Sequence, residues 1–252
     1  MCLLSIDNFD LHNYKKVSNN IYIGKDISLD TCIYRYIRLE HLIDLLETTS
    51  LFVPNRKFFS DKREVGKKQN LKNLFRFTPC HMTDIDKKYY TYLSQQIEES
   101  HNICISCWTY DKLLKNKNNE NIENYLMWKS YSYSHIGVRI KTTIKDFLCS
   151  IQNLENTIIA NSVIYKKESA DYSVNDSIFT KTEHYIYEDE FRVSILSTND
   201  YIRIPINTES MLHQITISPF TQKRFYNILK EFLESKYPFL AKKIIKSEII
   251  EY

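Results

Sequence analysis

Glycine is scarce in this chain, which has three among its 252 residues: Gly24, Gly66 and Gly137. A phosphate-binding P-loop or a dinucleotide-binding turn needs several glycines within about eight residues, so that backbone amides can approach a phosphate. No stretch of this sequence can supply such a loop. Any nucleotide that binds here must therefore be held by side chains.

Long apolar runs and paired cysteine motifs are also missing. No apolar stretch approaches the roughly 18 residues that a membrane-spanning helix needs, and the first residues turn acidic without a basic flank, so we expect neither a membrane span nor a secretory signal. The six cysteines are scattered, which fits a reducing compartment better than a disulfide framework. We therefore expect a cytoplasmic protein. The net charge of +3 neither requires nor excludes a nucleic-acid partner.

Core-forming residues are plentiful, at 43% hydrophobic and 13% aromatic. Segments with strand-like composition alternate with single amphipathic helices, and this order favours an α+β fold with a mixed sheet. The polar segment 1–30 is predicted to be an N-terminal extension with one candidate short strand at 21–23, and residues 31–252 are predicted to form a single domain. The predicted strands are 33–37, 51–53, 103–110, 137–141, 158–165, 193–196, 201–206, 215–217 and 244–252, and the predicted helices include 84–100, 144–154, 179–187 and 219–235.

The most informative stretch is 187–196, which reads YEDEFRVSIL. As a strand it would place its apolar residues on one face and Glu188, Glu190 and Arg192 on the other. Two carboxylates separated by one residue would lie about 7 Å apart. This arrangement suits a cleft in which one carboxylate reacts and the other orients, with Arg192 holding the geometry. The alternative is a surface strand whose Glu–Arg ladder faces solvent.

Three further residues are candidates for ligand contact. Arg35 shares a predicted strand face with apolar neighbours, so its guanidinium points inward and must meet either a structural carboxylate or an anionic ligand. Ser106 and Trp108 share a face of another predicted strand, so a hydroxyl and an indole can enter one cleft. Cys104 and Cys107 on the same strand form a lone C-x-x-C without a matching second pair, which is typical of core cysteines.

The order of several short motifs resembles the bacterial domain of unknown function 2971 family over about residue 33 to the end. Those motifs are Tyr34-Arg35-Tyr36, Phe59-Ser60-Asp61 with Glu64, Cys107-Trp108, Met127-Trp128 with Tyr131, Gly137-Val138-Arg139-Ile140, Val163-Ile164-Tyr165, Lys181, Tyr187-Glu188-Asp189-Glu190-Phe191-Arg192 and Ile217-Ser218-Pro219. The family name carries no activity. This resemblance therefore predicts relatedness without predicting chemistry.

A more distant likeness suggests a function. The chain resembles ADP-ribosyltransferases, which hold NAD in the cleft of a split mixed sheet and carry an Arg or His on an early strand, a Ser, Thr or Tyr on a middle strand, and a Glu-x-Glu on a late one. Arg35, Ser106 and Glu188-x-Glu190 occur in that order. The middle motif departs from the family pattern, because the full Ser-Thr-Ser is absent.

This resemblance implies a role for each candidate. Glu190 would hold the ribose and stabilise positive charge at the anomeric carbon, and Glu188 would orient the acceptor or take its proton. Arg35 would meet a phosphate of NAD, with Tyr36 and Ser106 beside it in the binding site. Trp108 or Tyr131 could stack on the nicotinamide. NAD would be consumed as a substrate, and the acceptor would be a protein, a nucleic-acid base or water.

Three functions stay open from the sequence. The first is an NAD-consuming transferase or glycohydrolase, of the kind that serves as a toxin or an antiviral-defence effector. The second is a metal-dependent nuclease in which Asp61, Glu188 and Glu190 bind Mg²⁺. The third is a non-catalytic binding or regulatory module with structural ion pairs. A basic loop at 55–72 makes a nucleic-acid partner admissible without requiring one.

Overall fold

The computed structural model describes residues 11–59, 102–112, 122–132, 136–167 and 176–249. The predicted helix at 84–100, most of the basic loop at 55–72 and Asp61 lie outside these ranges. Thirteen strands occur in the described part of the chain. They are β1 Tyr14–Ser18, β2 Ile21–Gly24, β3 Cys32–Arg38, β4 Ser50–Pro54, β5 Ile103–Thr109, β6 Gly137–Thr143, β7 Ile158–Ser162, β8 Ile164–Lys166, β9 Thr180–Thr182, β10 Glu190–Leu196, β11 Tyr201–Pro205, β12 Gln214–Ile217 and β13 Ile244–Lys246.

Helices are short and separate the strands. The α-helices are α1 Leu39–Thr48, α2 Tyr125–Ser132, α3 Ile144–Ser150, α4 Thr208–Met211 and α5 Lys223–Lys236, and the 3₁₀-helices are Leu11–Asn13, Arg56–Phe58, Asp176–Phe179, Glu183–Glu188 and Pro238–Leu240. Within the described ranges, no helix has the length and apolar character needed to cross a membrane.

Nine of the strands form one mostly antiparallel sheet in the order β1-β2-β7-β10-β5-β3-β6-β12-β13. The β2–β7 and β12–β13 pairs are parallel. The predicted α+β class with a mixed sheet is therefore confirmed. Two small additional sheets pair β4 with β11 and β8 with β9.

The large sheet is weakly joined at its centre. Strand β10 pairs with β5 along its whole length, and β3 pairs with β6 from Cys32 to Arg38. Between β3 and β5, however, Tyr34 and Thr109 form the single bridge. The two strands separate beyond that bridge, so residues 35–38 and 105–108 border a gap in the sheet.

The main core lies on one face of the sheet. Leu42 of α1, Phe147 of α3 and Leu229 of α5 belong to the same buried cluster as Ile33 and Phe191 of the sheet. The period-3.6 spacing of apolar residues in α1 and α5 gives each helix one side to bury. The opposite face carries smaller clusters, which leaves room there for polar side chains.

Three sequence predictions need correction. Residues 14–24 were expected in an N-terminal extension with a candidate strand at 21–23; that strand is observed as β2, but together with β1 it belongs to the edge of the large sheet. The last helix was expected from 219 but begins at Lys223, because Ser218 and Thr221 close a turn and the Ser218 hydroxyl accepts from the Phe220 amide. The helix expected at 179–187 is instead β9 followed by the 3₁₀-helix Glu183–Glu188.

Candidate functional site

A cavity of about 640 Å³ opens at the gap between β3 and β5, and it is called the cleft below. This volume is within the usual range for small-molecule sites. Its charged or titratable lining includes Arg35, Arg38, His41, Cys107, Lys181, Glu188 and Glu190, and its aromatic lining includes Tyr34, Tyr36, Phe59, Trp108, Tyr131 and Tyr185. The cleft therefore brings together most of the residues that the sequence singled out.

The two carboxylates reach the cleft by a different route from the predicted one. Glu188 is not on a strand: it ends the 3₁₀-helix, Asp189 turns the backbone at φ 43°, and β10 begins at Glu190. Strand alternation therefore does not align them. Lys181 brings them together instead, with its Nζ 2.7 Å from Glu188 Oε2 and 3.7 Å from Glu190 Oε2.

Glu190 is fixed by a bidentate ion pair. Arg192 Nε lies 2.7 Å from Glu190 Oε1 and its Nη2 lies 2.9 Å from Oε2, while Nη1 donates to the Ile178 carbonyl at 2.8 Å. Burial alone would raise the pKa of Glu190, but Arg192 and Lys181 outweigh it and the pKa is lowered. Both carboxylates are buried, so the solvent-facing Glu–Arg ladder is wrong.

Hydrogen bonds from two other segments hold the turn between the carboxylates. The Asp189 carboxylate accepts from the Lys112 amide at 2.8 Å, and the Asp189 carbonyl accepts from the Tyr110 amide at 2.9 Å. The Asn124 side-chain amide donates to the Tyr187 carbonyl at 2.7 Å. The backbone on both sides of Glu188 is therefore anchored, which limits how far its carboxylate can move.

Arg35 lines the cleft without a carboxylate partner among the described residues. Its guanidinium lies 5.8 Å from the centre of the Trp108 ring, and it is half-buried. Burial lowers the pKa of Arg35, while the neighbouring Cys107 and Tyr131 act in the opposite direction. The structural salt bridge that the sequence left open is therefore not formed with any acid in the described ranges.

Two of the predicted contact residues are less available than expected. Ser106 is fully buried and is not part of the cleft lining, because its hydroxyl accepts from the Trp108 indole N–H at 3.0 Å within the core. Trp108 reaches the cleft wall but is only 2% exposed, and its ring packs against Phe147 at 4.9 Å. Ser106 therefore cannot reach a ligand in the cleft, and Trp108 has almost no exposed ring on which a ligand could stack.

Tyr131 is better placed for a ligand. The residue is 42% exposed overall and lines the cleft. Burial raises the pKa of Tyr131, and nearby Glu188 and Cys107 raise it further. The phenol therefore stays protonated and can donate a hydrogen bond toward the carboxylates or a ligand.

Tyr36 lines the cleft, but its hydroxyl is already engaged in two hydrogen bonds within the protein. Its phenol donates to Asp111 Oδ2 at 2.9 Å and accepts from the Asn124 amide at 3.0 Å. Arg139 Nε lies 3.5 Å from the same Asp111 oxygen. Burial raises the pKa of Asp111 to about 6 against the opposing effect of Arg139. Tyr36 can therefore offer a ligand only the part of its ring that borders the cleft.

The raised pKa of Asp111 predicts a pH-dependent stability. An unfolded Asp titrates near 3.9, so the stability from protonated Asp111 is complete below about pH 4 and is lost as the pH rises through about 6. In Asp111→Asn, which cannot ionise, the decrease in unfolding free energy from pH 4 to pH 7 should shrink by about 2 kcal/mol. Urea denaturation at several pH values measures it. The exposed Asp200→Asn should keep the wild-type decrease, and an unchanged profile for Asp111→Asn would contradict the prediction.

Lys181 and Tyr185 are site residues to which the sequence gave no role. Lys181 is only 10% exposed at its side chain, and its Nζ lies 4.6 Å from the centre of the Tyr185 ring. Lys181 precedes Glu188 by seven positions, a spacing at which two side chains do not touch in either a regular strand or a regular helix. Lys181 and Glu188 meet because the 3₁₀-helix Glu183–Glu188 reverses the direction of the chain. No pattern in the sequence predicts this reversal.

Comparison with protein-family models, with curated proteins and with solved structures gives no match for this chain. The two family resemblances therefore stay predictions, and the function must be argued from the geometry of the cleft.

Proposed function

We propose that this protein is an NAD-consuming enzyme of the ADP-ribosyltransferase type, acting as a transferase or a glycohydrolase. The observation that carries the proposal is the meeting of Arg35, Glu188 and Glu190 in one cleft, at the point where the sheet divides. The gap between β3 and β5 is what an ADP-ribosyltransferase-like split sheet would require. NAD is then the substrate, with nicotinamide as the leaving group.

The position of Arg35, which lines the cleft and has no acid partner in the part of the chain that the structure describes, supports an anionic ligand. A desolvated cation without an acid costs free energy unless a bound anion replaces its lost hydration. A guanidinium can donate two parallel hydrogen bonds to a phosphate, which makes it suited to the diphosphate of NAD. The chain has no glycine-rich loop to do this, so a side chain must take over the task.

The carboxylates match the other half of the substrate. As the bond from the anomeric carbon to the nicotinamide nitrogen breaks, its electron pair neutralises the pyridinium and positive charge develops on the ribose. Glu190, held ionised by Arg192, stabilises that charge, and Glu188 takes the proton from the attacking nucleophile. Tyr131, which lines the cleft and is 42% exposed, supplies an aromatic ring for the nicotinamide.

The two other functions fit fewer of these features. A magnesium-dependent nuclease needs several carboxylate oxygens that can coordinate the ion directly, whereas both Glu190 oxygens accept from Arg192 and Glu188 Oε2 accepts from Lys181. A purely structural role explains the Glu190–Arg192 pair but leaves Arg35 without a reason to line the cleft. Consumption of NAD arrests a cell, so a toxin or antiviral-defence effector is the biological role we propose.

The direct test is incubation of the protein with NAD and chromatographic measurement of free nicotinamide. We expect release above the rate of a buffer blank. If no nicotinamide appears under any tested condition of pH and salt, the proposed activity is wrong.

Arg35→Met should weaken nucleotide binding and at the same time stabilise the fold. Loss of charge-assisted hydrogen bonds to the diphosphate should cost about 1.5–3 kcal/mol of binding free energy. The dissociation constant for ADP-ribose, measured by calorimetry, should therefore rise roughly 10- to 150-fold. Because burial disfavours the cation and no acid of the described residues pairs with it, its removal should leave the unfolding free energy equal or higher.

Arg203→Met is the matched control for Arg35→Met. Arg203 is an exposed arginine that pairs with Asp44 at 3.0 Å, away from the cleft lining. Its replacement should leave ADP-ribose binding unchanged. Equal binding by Arg35→Met and wild type would remove Arg35 from the proposed site.

A further inference from the structure

We propose that the acceptor is water, so that the protein hydrolyses NAD to ADP-ribose and does not modify a macromolecule. This inference rests on the proposed consumption of NAD and selects one of its two outcomes. It follows from where the two carboxylates lie within the cleft, and from what surrounds them.

Both carboxylates lie deep in the structure. Glu188 is 7% exposed and Glu190 is 3% exposed, and Lys181 between them is equally enclosed. The base that takes a proton from the acceptor has to be within hydrogen-bond distance of the attacking atom. An acceptor therefore has to enter the cleft fully to be activated by Glu188.

Two tyrosines restrict that approach. The Tyr185 ring lies beside Lys181, with 4.6 Å from the Nζ to the ring centre, and Tyr131 of α2 lines the cleft together with Glu188 and Glu190. Both tyrosines line the same cleft as Arg35. A dinucleotide that reaches from Arg35 to Glu190 fills the part of the cleft between these residues. For the side chain of an acceptor protein to reach Glu188, the backbone of that protein would have to enter the remaining volume of the cleft. Water needs no such space.

The step with water balances without a further reactant. The glycosidic C–N bond breaks and its electrons go to the nicotinamide nitrogen. A bond forms between the anomeric carbon and the water oxygen, and the proton that this oxygen loses passes to Glu188 and then to solvent. The products are neutral nicotinamide, ADP-ribose and one proton.

The test follows both halves of the substrate at once. The protein is incubated with NAD labelled in the adenosine part, together with a cell lysate as a source of protein and nucleic-acid acceptors. We expect free ADP-ribose in a one-to-one ratio with nicotinamide and no label in the macromolecular fraction. Nicotinamide release with the label on protein or nucleic acid would overturn the inference alone. Absence of nicotinamide release would overturn the proposed function and this inference with it.

Competition between alcohols tests the size limit without a macromolecule. Methanol should compete with water and yield the methyl glycoside of ADP-ribose, whereas butanol should give at least ten times less of its glycoside in the wild type. Tyr185→Ala should lower the ratio of methanol product to butanol product, because it opens the cleft. Tyr185→Phe should keep the wild-type ratio, because the ring remains. A wild-type enzyme that accepts butanol as readily as methanol would show an open acceptor site and overturn the inference.

Discussion

Replacement of Arg192 by methionine should destabilise the fold by about 3–5 kcal/mol, because it leaves the Glu190 carboxylate buried without its bidentate partner. The effect should be largest at neutral pH, where Glu190 is ionised, and smaller in acid, where protonation relieves the unpaired charge. Lys181 at 3.7 Å can recover part of the loss. Urea denaturation at pH 7 and pH 4 measures both expectations.

Two comparisons isolate the charge from the packing. Arg203→Met removes an exposed partner of Asp44 and should cost at most about 1 kcal/mol. The double variant Arg192→Met with Glu190→Leu removes both charges, so it should be more stable than Arg192→Met alone. If the single and double variants were equally unstable, the cost would come from lost packing and not from an unpaired carboxylate.

Strand composition and alternation made much of the sheet predictable. In β5 and β10, β-branched and aromatic residues occur in runs, and the structure pairs these strands from Glu190–Thr109 to Leu196–Ile103. Arg192 was expected to hold the carboxylate geometry, and the observed pair with Glu190 does so. These features depend on local sequence and on a period of two, which a single chain displays directly.

The position of Glu188 could not be read in the same way. Alternation from Val193 backwards assumes that the strand continues through Asp189, but Asp189 adopts φ 43° and ends it. Asp is one of the residues that tolerates this left-handed region, so its identity permitted the turn without indicating it. The two carboxylates still meet, because Lys181 and the 3₁₀-helix bring Glu188 back.

The cleft itself depends on contacts between distant parts of the chain. Strand β3 is 70 residues or so from β5 in sequence, and the single bridge at Tyr34 and Thr109 reflects the balance of pairing against packing over that whole distance. The burial of Ser106 is decided in the same way, since its place on the core side depends on which strands flank β5. Local patterns contain neither piece of information.

Glu188→Gln should reduce nicotinamide release by about 10²- to 10⁴-fold, the usual contribution of a general base. Glutamine has the same shape and keeps an oxygen that can accept from Lys181, so the fold should change little in stability. Initial rates of nicotinamide release at saturating NAD measure the effect, with thermal unfolding as the check on the fold. A carboxylate that served only as a structural partner would leave the rate unchanged.

Two matched variants make the result of Glu188→Gln interpretable. Glu209→Gln changes an exposed glutamate outside the cleft lining and should retain the wild-type rate. Glu190→Gln should lose both activity and stability, because it also breaks the ion pair with Arg192. Of these three variants, we therefore expect only Glu188→Gln to lose activity while keeping its stability. If Glu188→Gln released nicotinamide within threefold of wild type, then its carboxylate would not be the base and the acceptor would have to be activated elsewhere in the cleft.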